Sequence, residues 1–224
     1  MSAHILEADS IQKSYANKLI LSDVYLKCHT GEIMGLLGRN GSGKSTLLKI
    51  IFGIVAADFK FIRIDGAIKS QTAHLLKEIS YLNQDSFIPQ NLSVAKAISL
   101  SIMPDKIDGF YNDAMIEAIK NKKVAHLSSG ELRYLEIKIV LSKDSKFALL
   151  DEPYNGLAPM MIDQINALVI ANSASKGIII TDHNYENVIK VSTRLVLMHD
   201  GKTRHLGDKN QLVDFGYLRE GMFH

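Results

Sequence analysis

The fold of this chain is decided by the run Gly38-Arg39-Asn40-Gly41-Ser42-Gly43-Lys44-Ser45. An apolar segment, 32–37, precedes this run, and a helical pattern over 45–54 follows it. A glycine-rich turn that ends in Lys-Ser between a strand and a helix is typical of loops that surround phosphate groups. The alternative is a glycine-rich turn that binds nothing, and the order of strand, loop and helix argues against it. The pattern predicts a nucleoside triphosphate site.

Each position of this phosphate loop has a physical role in that interpretation. Glycines let the backbone N–H groups approach phosphates closely, and the helix that begins near Lys44 adds the positive end of its dipole. The Lys44 ammonium can reach the β- and γ-phosphates, and the Ser45 hydroxyl can bind Mg²⁺. The candidate nucleotide contacts in this segment are Gly38, Asn40, Gly41, Ser42, Gly43, Lys44, Ser45 and Thr46.

A second candidate site lies at the end of the apolar segment Phe147-Ala148-Leu149-Leu150-Asp151-Glu152-Pro153. Side chains alternate along a strand, so two adjacent acids can have different roles. Asp151 is placed to hold Mg²⁺, and Glu152 is free to polarise a water molecule in line with the γ-phosphate. The alternative is a solvated Asp-Glu turn before proline.

Composition sets the class of the protein. The chain has 224 residues, of which 46% are hydrophobic and 22% are charged, which predicts one domain over 1–224. Its net charge of +2, from 26 basic and 24 acidic residues, is too balanced to favour a nucleic-acid partner. Cys28 is the single cysteine and is expected to be a buried apolar side chain. No membrane span or secretory signal is visible, so we expect a cytosolic protein that reaches a membrane only through a partner.

The hydrophobic pattern predicts an α/β fold with a mostly parallel sheet. Short antiparallel strands are expected over 5–28, as an N-terminal β subdomain, and the middle of the chain, about 87–141, has helical spacing and is interpreted as an inserted helical subdomain. Strands alternating with helices favour parallel βαβ units. The remaining strands are predicted at Phe59–Ile64, Ile79–Leu82, Phe147–Leu150, Ile178–Ile180 and Leu195–Met198.

Further motifs occur in a definite order along the chain. Leu127-Ser128-Ser129-Gly130-Glu131 lies before the Asp-Glu strand, Gln84 ends a strand, and Thr181-Asp182-His183-Asn184 follows another. With the phosphate loop and Tyr15, this series resembles the ATP-binding cassette (ABC) ATPase family over about 5–207. The resemblance implies a P-loop NTPase core and ATP with Mg²⁺ as ligands.

The resemblance also implies roles for individual residues. Tyr15 would stack on adenine, Gln84 would sense Mg²⁺ and couple to a partner, and His183 would act at the γ-phosphate. Glu152, His183 and Lys44 are then the catalytic candidates, and Ser45, Gln84 and Asp151 are the metal candidates. Ser128 and Gly130 would contact a nucleotide held by a second cassette.

Each of these residues has an ordinary structural alternative that the sequence leaves open. Tyr15 could be a core tyrosine, Gln84 a surface strand end, and His183 merely exposed. Ser128 and Gly130 could form only a helix N-cap, although a helix start can also bind an anion.

Two positions depart from the family pattern. Ser129 replaces a signature glycine, and Ala158 stands where most members have aspartate. The segment 156–159 resembles the branch that serves branched-chain amino-acid uptake, and 181–184 resembles that branch and its lipopolysaccharide-export relatives.

The resemblance implies ATP hydrolysis between two cassettes, the second being a copy of this chain or a paralogue. An integral-membrane transporter subunit is expected to dock near Gln84–Pro89, because Phe87, Ile88 and Pro89 are apolar among polar residues. The alternative is that these three residues pack under the helical segment. Rival functions are a soluble cassette acting on a non-membrane partner and a regulatory module that binds nucleotide without hydrolysis. The tail, 208–224, carries no motif that can be interpreted.

Overall fold

The computed structural model describes residues 3–16 and 18–218. The predictions for the whole of 1–224 therefore include residues 1, 2, 17 and 219–224, which lie outside the described part. The strands are β1 (Ile5–Tyr15), β2 (Lys18–His29), β3 (Ile33–Leu37), β4 (Phe59–Ile64), β5 (Ala67–Ile68), β6 (Ile79–Leu82), β7 (Phe147–Asp151), β8 (Gly177–Thr181), β9 (Arg194–His199) and β10 (Lys202–His205). The helices are α1 (Lys44–Phe52), α2 (Thr72–Glu78), α3 (Val94–Ser101), α4 (Ile107–Tyr111), α5 (Ala114–Ile119), α6 (Ser129–Ser142), α7 (Pro159–Ser173), α8 (Tyr185–Val191) and α9 (Gln211–Asp214).

The central element is a mixed sheet of strand order β10-β9-β3-β8-β7-β6, in which β9, β3, β8, β7 and β6 run parallel and β10 pairs antiparallel at one edge. Every residue of β3, β7 and β8 is buried, as expected for parallel strands covered on both faces. Alternate side chains of these strands enter two separate cores. Ile178 belongs to a core shared with the helices, and Ile179 to a core shared with α1 and the antiparallel sheet.

The antiparallel sheet has the strand order β2-β1-β4-β5. The predicted antiparallel pairing over 5–28 is confirmed, but the prediction that these strands are short is wrong, since they span 11 and 12 residues. The pairing of β1 with β2 shifts register between Ala8 and Ile11 and again before Lys13 and Ser14. These irregularities break the alternation of apolar and polar residues, which makes a long strand look like several short ones.

The helical middle of the chain shares a core with the parallel sheet. Val94 of α3, Ile116 of α5 and Leu135 of α6 are buried in the same cluster as Ile178 of β8. Helix α6 packs directly against β6 and β7. The predicted fold class is confirmed, and α6 places a helical segment beside β7, which ends at the predicted acidic site, and beside β6, which precedes Gln84.

The predicted site residues follow the carboxyl ends of strands of the parallel sheet. The carboxyl ends of parallel strands meet at the same edge, where ligands bind in open α/β sheets. The phosphate loop follows β3, Asp151 ends β7, and Gln84 lies two residues after β6. His183 follows β8 in the same way.

Candidate active site

The phosphate loop turns sharply into α1 at Gly43. This residue is the N-cap of the helix, with φ +103°, and no side chain caps the first N–H groups of α1. A Cβ at position 43 would lie 2.8 Å from Leu21 Cδ2, so only glycine fits there without a shift. The uncapped N–H groups are available to an anion at the helix start.

Lys44 is buried at the centre of this loop, with 6% of its surface exposed. Its Nζ donates to the carbonyl oxygens of Gly38, at 2.7 Å, and Arg39, at 3.2 Å. Burial lowers the pKa of the Lys44 ammonium, and the carboxylates of Glu152 and Asp151 act in the opposite direction. The loop thus places the buried Lys44 ammonium close to its own backbone N–H groups.

Ser45 and Asp151 meet across the sheet edge. The Ser45 hydroxyl donates to Asp151 Oδ1 at 2.9 Å, and Gln84 Nε2 donates to Ser45 Oγ at 3.2 Å. Tyr81, on β6, donates its hydroxyl to Asp151 Oδ2 at 2.9 Å. Burial raises the pKa of Asp151, and the hydrogen bonds from Ser45 and Tyr81 oppose this effect. Sequence reasoning missed Tyr81.

This group fits a magnesium ion. Mg²⁺ prefers oxygen ligands, and the Ser45 hydroxyl lies within hydrogen-bonding distance of both the Asp151 carboxylate and the Gln84 amide. In the phosphate loop, Ser42 Oγ is buried and has no hydrogen-bond partner within the part of the chain that the structure describes. A polar atom of this kind in a phosphate loop suits a ligand that supplies oxygen atoms.

Glu152 lies beside this group with an unusual backbone. Its φ is +49°, a left-handed conformation that is rare outside glycine. Its N–H donates to the Thr181 carbonyl oxygen at 2.8 Å. The Nδ1 atom of His183 lies 4.0 Å from Glu152 Oε2 and 3.3 Å from Asp182 Oδ1. The His183 side chain is half exposed, whereas that of Asp182 is fully buried.

A single cavity of about 510 Å³ brings most of the predicted residues together. Tyr15 lies at its rim, 49% exposed, with the Lys13 ammonium 4.9 Å from the ring centroid. The cavity also contacts Ile20 and Asn155, which sequence reasoning did not select. The predicted residues that line it are Tyr15, Asn40, Gly41, Ser42, Gly43, Lys44, Ser45, Thr46, Gln84, Glu152 and His183. Of the other predicted contacts, Gly38 is linked to the site through Lys44.

Ser128 and Gly130 do not line this cavity. The Ser128 hydroxyl accepts the Glu131 N–H at 3.2 Å, and the Glu131 carboxylate accepts the Ser128 N–H at 2.8 Å. This reciprocal pair is a capping box at the start of α6. The N-cap alternative for Ser128 is therefore present in the structure, with Ser129 exposed beside it.

The apolar triplet after Gln84 divides between surface and core. Phe87 is 42% exposed and Pro89 is exposed, but Ile88 is only 6% exposed and belongs to the helical core. The expectation that all three residues form a docking surface is therefore wrong for Ile88, because its side chain packs inward. Two other residues that sequence reasoning missed, Arg133 and Glu136 of α6, contact the loop around Gln84 from inside, at Asn83 and Phe87 respectively.

Comparisons with known proteins show the family to which this chain is similar. The model of the ABC transporter family matches residues 21–155. The lipopolysaccharide export system ATP-binding protein LptB of Haemophilus influenzae is 32% identical, with 94% of this chain and 93% of that protein covered. The protein of the same name from Acidithiobacillus ferridurans is 30% identical, with 97% and 96% covered.

Solved structures resemble the chain in fold. The ATP binding subunit of an ABC transporter superimposes with a TM-score of 0.83 at 21% identity, covering 96% of this chain and 95% of that one. A bacterial Atm1-family ABC exporter with ATP bound gives a TM-score of 0.82 at 19% identity, covering 94% of this chain and 40% of the exporter. Within residues 3–16 and 18–218, no helix combines the length and apolar character needed to cross a bilayer.

Proposed function

Because this chain belongs to the ABC transporter family, we propose that it binds ATP with Mg²⁺ and hydrolyses ATP between two paired cassettes to drive transport through separate membrane subunits. One observation carries this proposal. The cavity of about 510 Å³ is lined by the phosphate loop, Gln84, Glu152 and His183, which come from four separate segments of the chain. A triphosphate site beside a carboxylate and an imidazole is suited to phosphoryl transfer to water.

The phosphate loop would bind the triphosphate of ATP. The N–H groups at the start of α1 have no side-chain cap, so they can donate to phosphate oxygens. Lys44 would exchange its bonds to the loop carbonyls for bonds to the β- and γ-phosphates. Tyr15, at the rim of the same cavity, would contact the adenine ring.

Ser45, Asp151 and Gln84 would hold Mg²⁺, in keeping with their oxygen-bearing side chains and with the contacts of Ser45 to the other two residues. When bound there, Mg²⁺ would neutralise the negative charge that develops during phosphoryl transfer. Tyr81 would fix the orientation of the Asp151 carboxylate through its hydrogen bond to Oδ2.

Glu152 would accept a proton from the attacking water. Its carboxylate lies at the cavity, partly exposed, and its backbone is fixed by a hydrogen bond to Thr181. His183, with Nδ1 4.0 Å from Glu152 Oε2, would contact the γ-phosphate from the neighbouring strand end. A positioned general base typically contributes about 10²–10⁴-fold to a rate.

A second cassette would complete the site. Ser128 and Gly130 do not line the cavity of their own chain, and Ser128 is exposed at the start of α6. In a head-to-tail pair, the start of α6 from one copy, or from a paralogue, would face the phosphate loop of the other. Such closure excludes water other than the reacting molecule and surrounds the γ-phosphate with donors from both sides.

A membrane subunit would dock beside Gln84 at the exposed side chains of Phe87 and Pro89. The chain would then lie at the cytoplasmic face of a membrane through this partner. We take 1–224 as one cassette domain in which about 87–141 form the helical part. A cassette that acts on a non-membrane partner would lack this docking, and a regulatory module would bind ATP without cleaving it.

The substitution Glu152→Gln tests the proposed chemistry. Phosphate release by the purified chain with Mg-ATP should fall by roughly 100-fold or more, since the amide cannot accept the proton. ATP binding, measured by isothermal titration calorimetry, should persist, and light scattering should detect an ATP-dependent dimer. Glu117→Gln, at an exposed ion pair of α5, is the matched control and should retain wild-type turnover.

Wild-type turnover in the Glu152→Gln variant would exclude Glu152 as the base. ATP binding without phosphate release by the wild-type chain, alone and in membranes with a partner, would instead favour the regulatory module.

A further inference from the structure

Arg133 of α6 contacts two strand ends at once. Its side chain is 9% exposed. One nitrogen, Nη1, donates to the Asn83 carbonyl oxygen at 2.8 Å, and the other, Nη2, donates to the carbonyl oxygens of Asp151, at 3.0 Å, and Glu152, at 2.9 Å. A guanidinium presents its N–H donors in a rigid plane, so one side chain can hold several carbonyls in a fixed relation. Arg133 thereby links the residue after β6 to the end of β7 through hydrogen bonds.

Glu136 lies one turn further along α6 and holds the next part of the same loop. Its Oε1 accepts the Ser86 hydroxyl at 2.6 Å and the Phe87 N–H at 3.0 Å, while its Oε2 lies 3.4 Å from Arg133 Nη1. The Glu136 side chain is 2% exposed. Residues 83–87 are thus attached to α6 at both ends by one buried ion pair.

The conformation of Glu152 depends on these contacts. A left-handed backbone in a non-glycine residue is strained and persists where the surroundings determine it. Two hydrogen bonds hold the Glu152 peptide units, with the N–H donating to Thr181 and the carbonyl oxygen accepting from Arg133. The direction in which the Glu152 carboxylate leaves the backbone is therefore set in part by Arg133.

Helix α6 can transmit a displacement of residues 83–87 to Glu152, because the helix is held in place around Arg133 and Glu136. The capping box fixes its first turn, and Leu135, Ile137 and Ile139 are fully buried against the sheet and helices. Gln84 and Phe87, by contrast, are exposed residues in a segment without regular structure. A force on this segment would act first on Glu136 and Arg133.

We propose that Arg133 and Glu136 are positioning residues that couple the exposed segment 83–87 to the backbone of Glu152, so that movement of the segment reorients the carboxylate. This inference rests on the proposed role of Glu152 in hydrolysis. Neither residue touches the cavity, and both would act through others.

Two conservative substitutions test the coupling in the full-length chain. Arg133→Lys keeps the charge but replaces the fork with one ammonium, and Glu136→Gln keeps an acceptor but removes the ion pair. Hydrogen exchange of the Phe87 and Glu152 amides should be measured alongside kcat, KM and Tm. The Ile179 amide, in β8, reports overall stability, and Tyr134→Phe is the control on the same helix.

Arg133→Lys should speed exchange at Glu152 by roughly tenfold, the size expected for loss of hydrogen bonds from a charged donor, with less change at Ile179. It should lower kcat while leaving the KM for ATP within about threefold, since orientation of the base is lost rather than binding. Glu136→Gln should speed exchange at both Phe87 and Glu152, and the two substitutions together should lower kcat by less than the product of their separate effects.

Faster exchange at Phe87 alone in Glu136→Gln, with Glu152 and kcat unchanged, would overturn the coupling. Equal acceleration at Phe87, Glu152 and Ile179 would also overturn it, because that result describes general destabilisation. If the wild-type chain releases no phosphate, the proposed hydrolysis fails, and the exchange measurements still decide whether the segment and Glu152 are coupled.

Discussion

Two helix starts in this molecule have opposite designs. At the start of α1, the N-cap is Gly43, no side chain accepts the first N–H groups, and the backbone opens into the cavity. At the start of α6, Ser128 and Glu131 satisfy each other, and the Lys122 ammonium lies 2.7 Å from the Glu131 carboxylate. The first start leaves N–H groups to which an external anion can bind, whereas the second is capped by its own side chains. A helix start that lacks a side-chain cap beside a buried lysine is the stronger sign of a ligand.

The largest effect on ATP binding is expected from a substitution of Lys44, the buried cation at the uncapped start of α1. Lys44→Ala should weaken ATP binding by roughly 100-fold, because a charge-assisted contact to the phosphates is lost. Calorimetric titration of the Glu152→Gln variant with and without this change would measure the loss without turnover. Lys77→Ala, at an exposed lysine of α2, is the control. Unchanged affinity for ATP in the Lys44→Ala variant would show that Lys44 at the start of α1 does not bind the phosphates.

Smaller effects, one on stability and one on phosphate release, are expected from substitutions at the capped start of α6. Ser128→Ala should lower the free energy of unfolding by about 1 kcal/mol through loss of the cap, and should lower phosphate release by the paired chains. Ser128→Asp separates these effects, since aspartate also caps well but places negative charge where a nucleotide of the partner would approach. Denaturant unfolding and phosphate release measure the two parts. Full turnover in Ser128→Asp would remove α6 from the proposed site.

The smallest effect, on the free energy of unfolding, is expected at a third helix start, that of α7. Its N-cap is Ala158, which is exposed, has no side-chain cap and precedes Pro159. Ala158→Asp should raise the free energy of unfolding by about 0.5–1 kcal/mol, because the carboxylate can accept a first-turn N–H. Ala158→Lys, which offers no acceptor, is the comparison in thermal unfolding. Equal Tm values for the two variants would mean that this start gains nothing from a cap.

The sequence predicted the features that depend on buried strands and on glycine. Fully buried parallel strands appear as short apolar runs, so β3, β7 and β8 were predicted within one or two residues. The glycines of the phosphate loop predicted a close backbone turn before a helix, and Gly43, the N-cap of α1, has φ +103°. The elements β5, α2, β10 and α9 were missed: the first three are short and mostly exposed, and α9 has only four residues, so all four carry little hydrophobic pattern.

The supporting residues of the site could not be predicted for a different reason. Tyr81 reaches Asp151 across 70 positions of sequence, and Arg133 reaches Asn83 across 50. A polar residue in a strand or helix gives no local sign of which distant group it will contact. Whether Ile88 faces a partner or packs under the helical segment stayed open, because an apolar residue among polar neighbours looks the same in both cases; the structure places it in the core.

The lone cysteine has a practical consequence for studies of this chain. Cys28 is fully buried in β2, and burial raises the pKa of its thiol well above the ordinary range. Its thiolate is therefore scarce and shielded, and a maleimide or spin-label reagent would find little to react with in the folded protein. A cysteine introduced at the exposed Ser129 would then carry a probe at one known place, against an almost silent background.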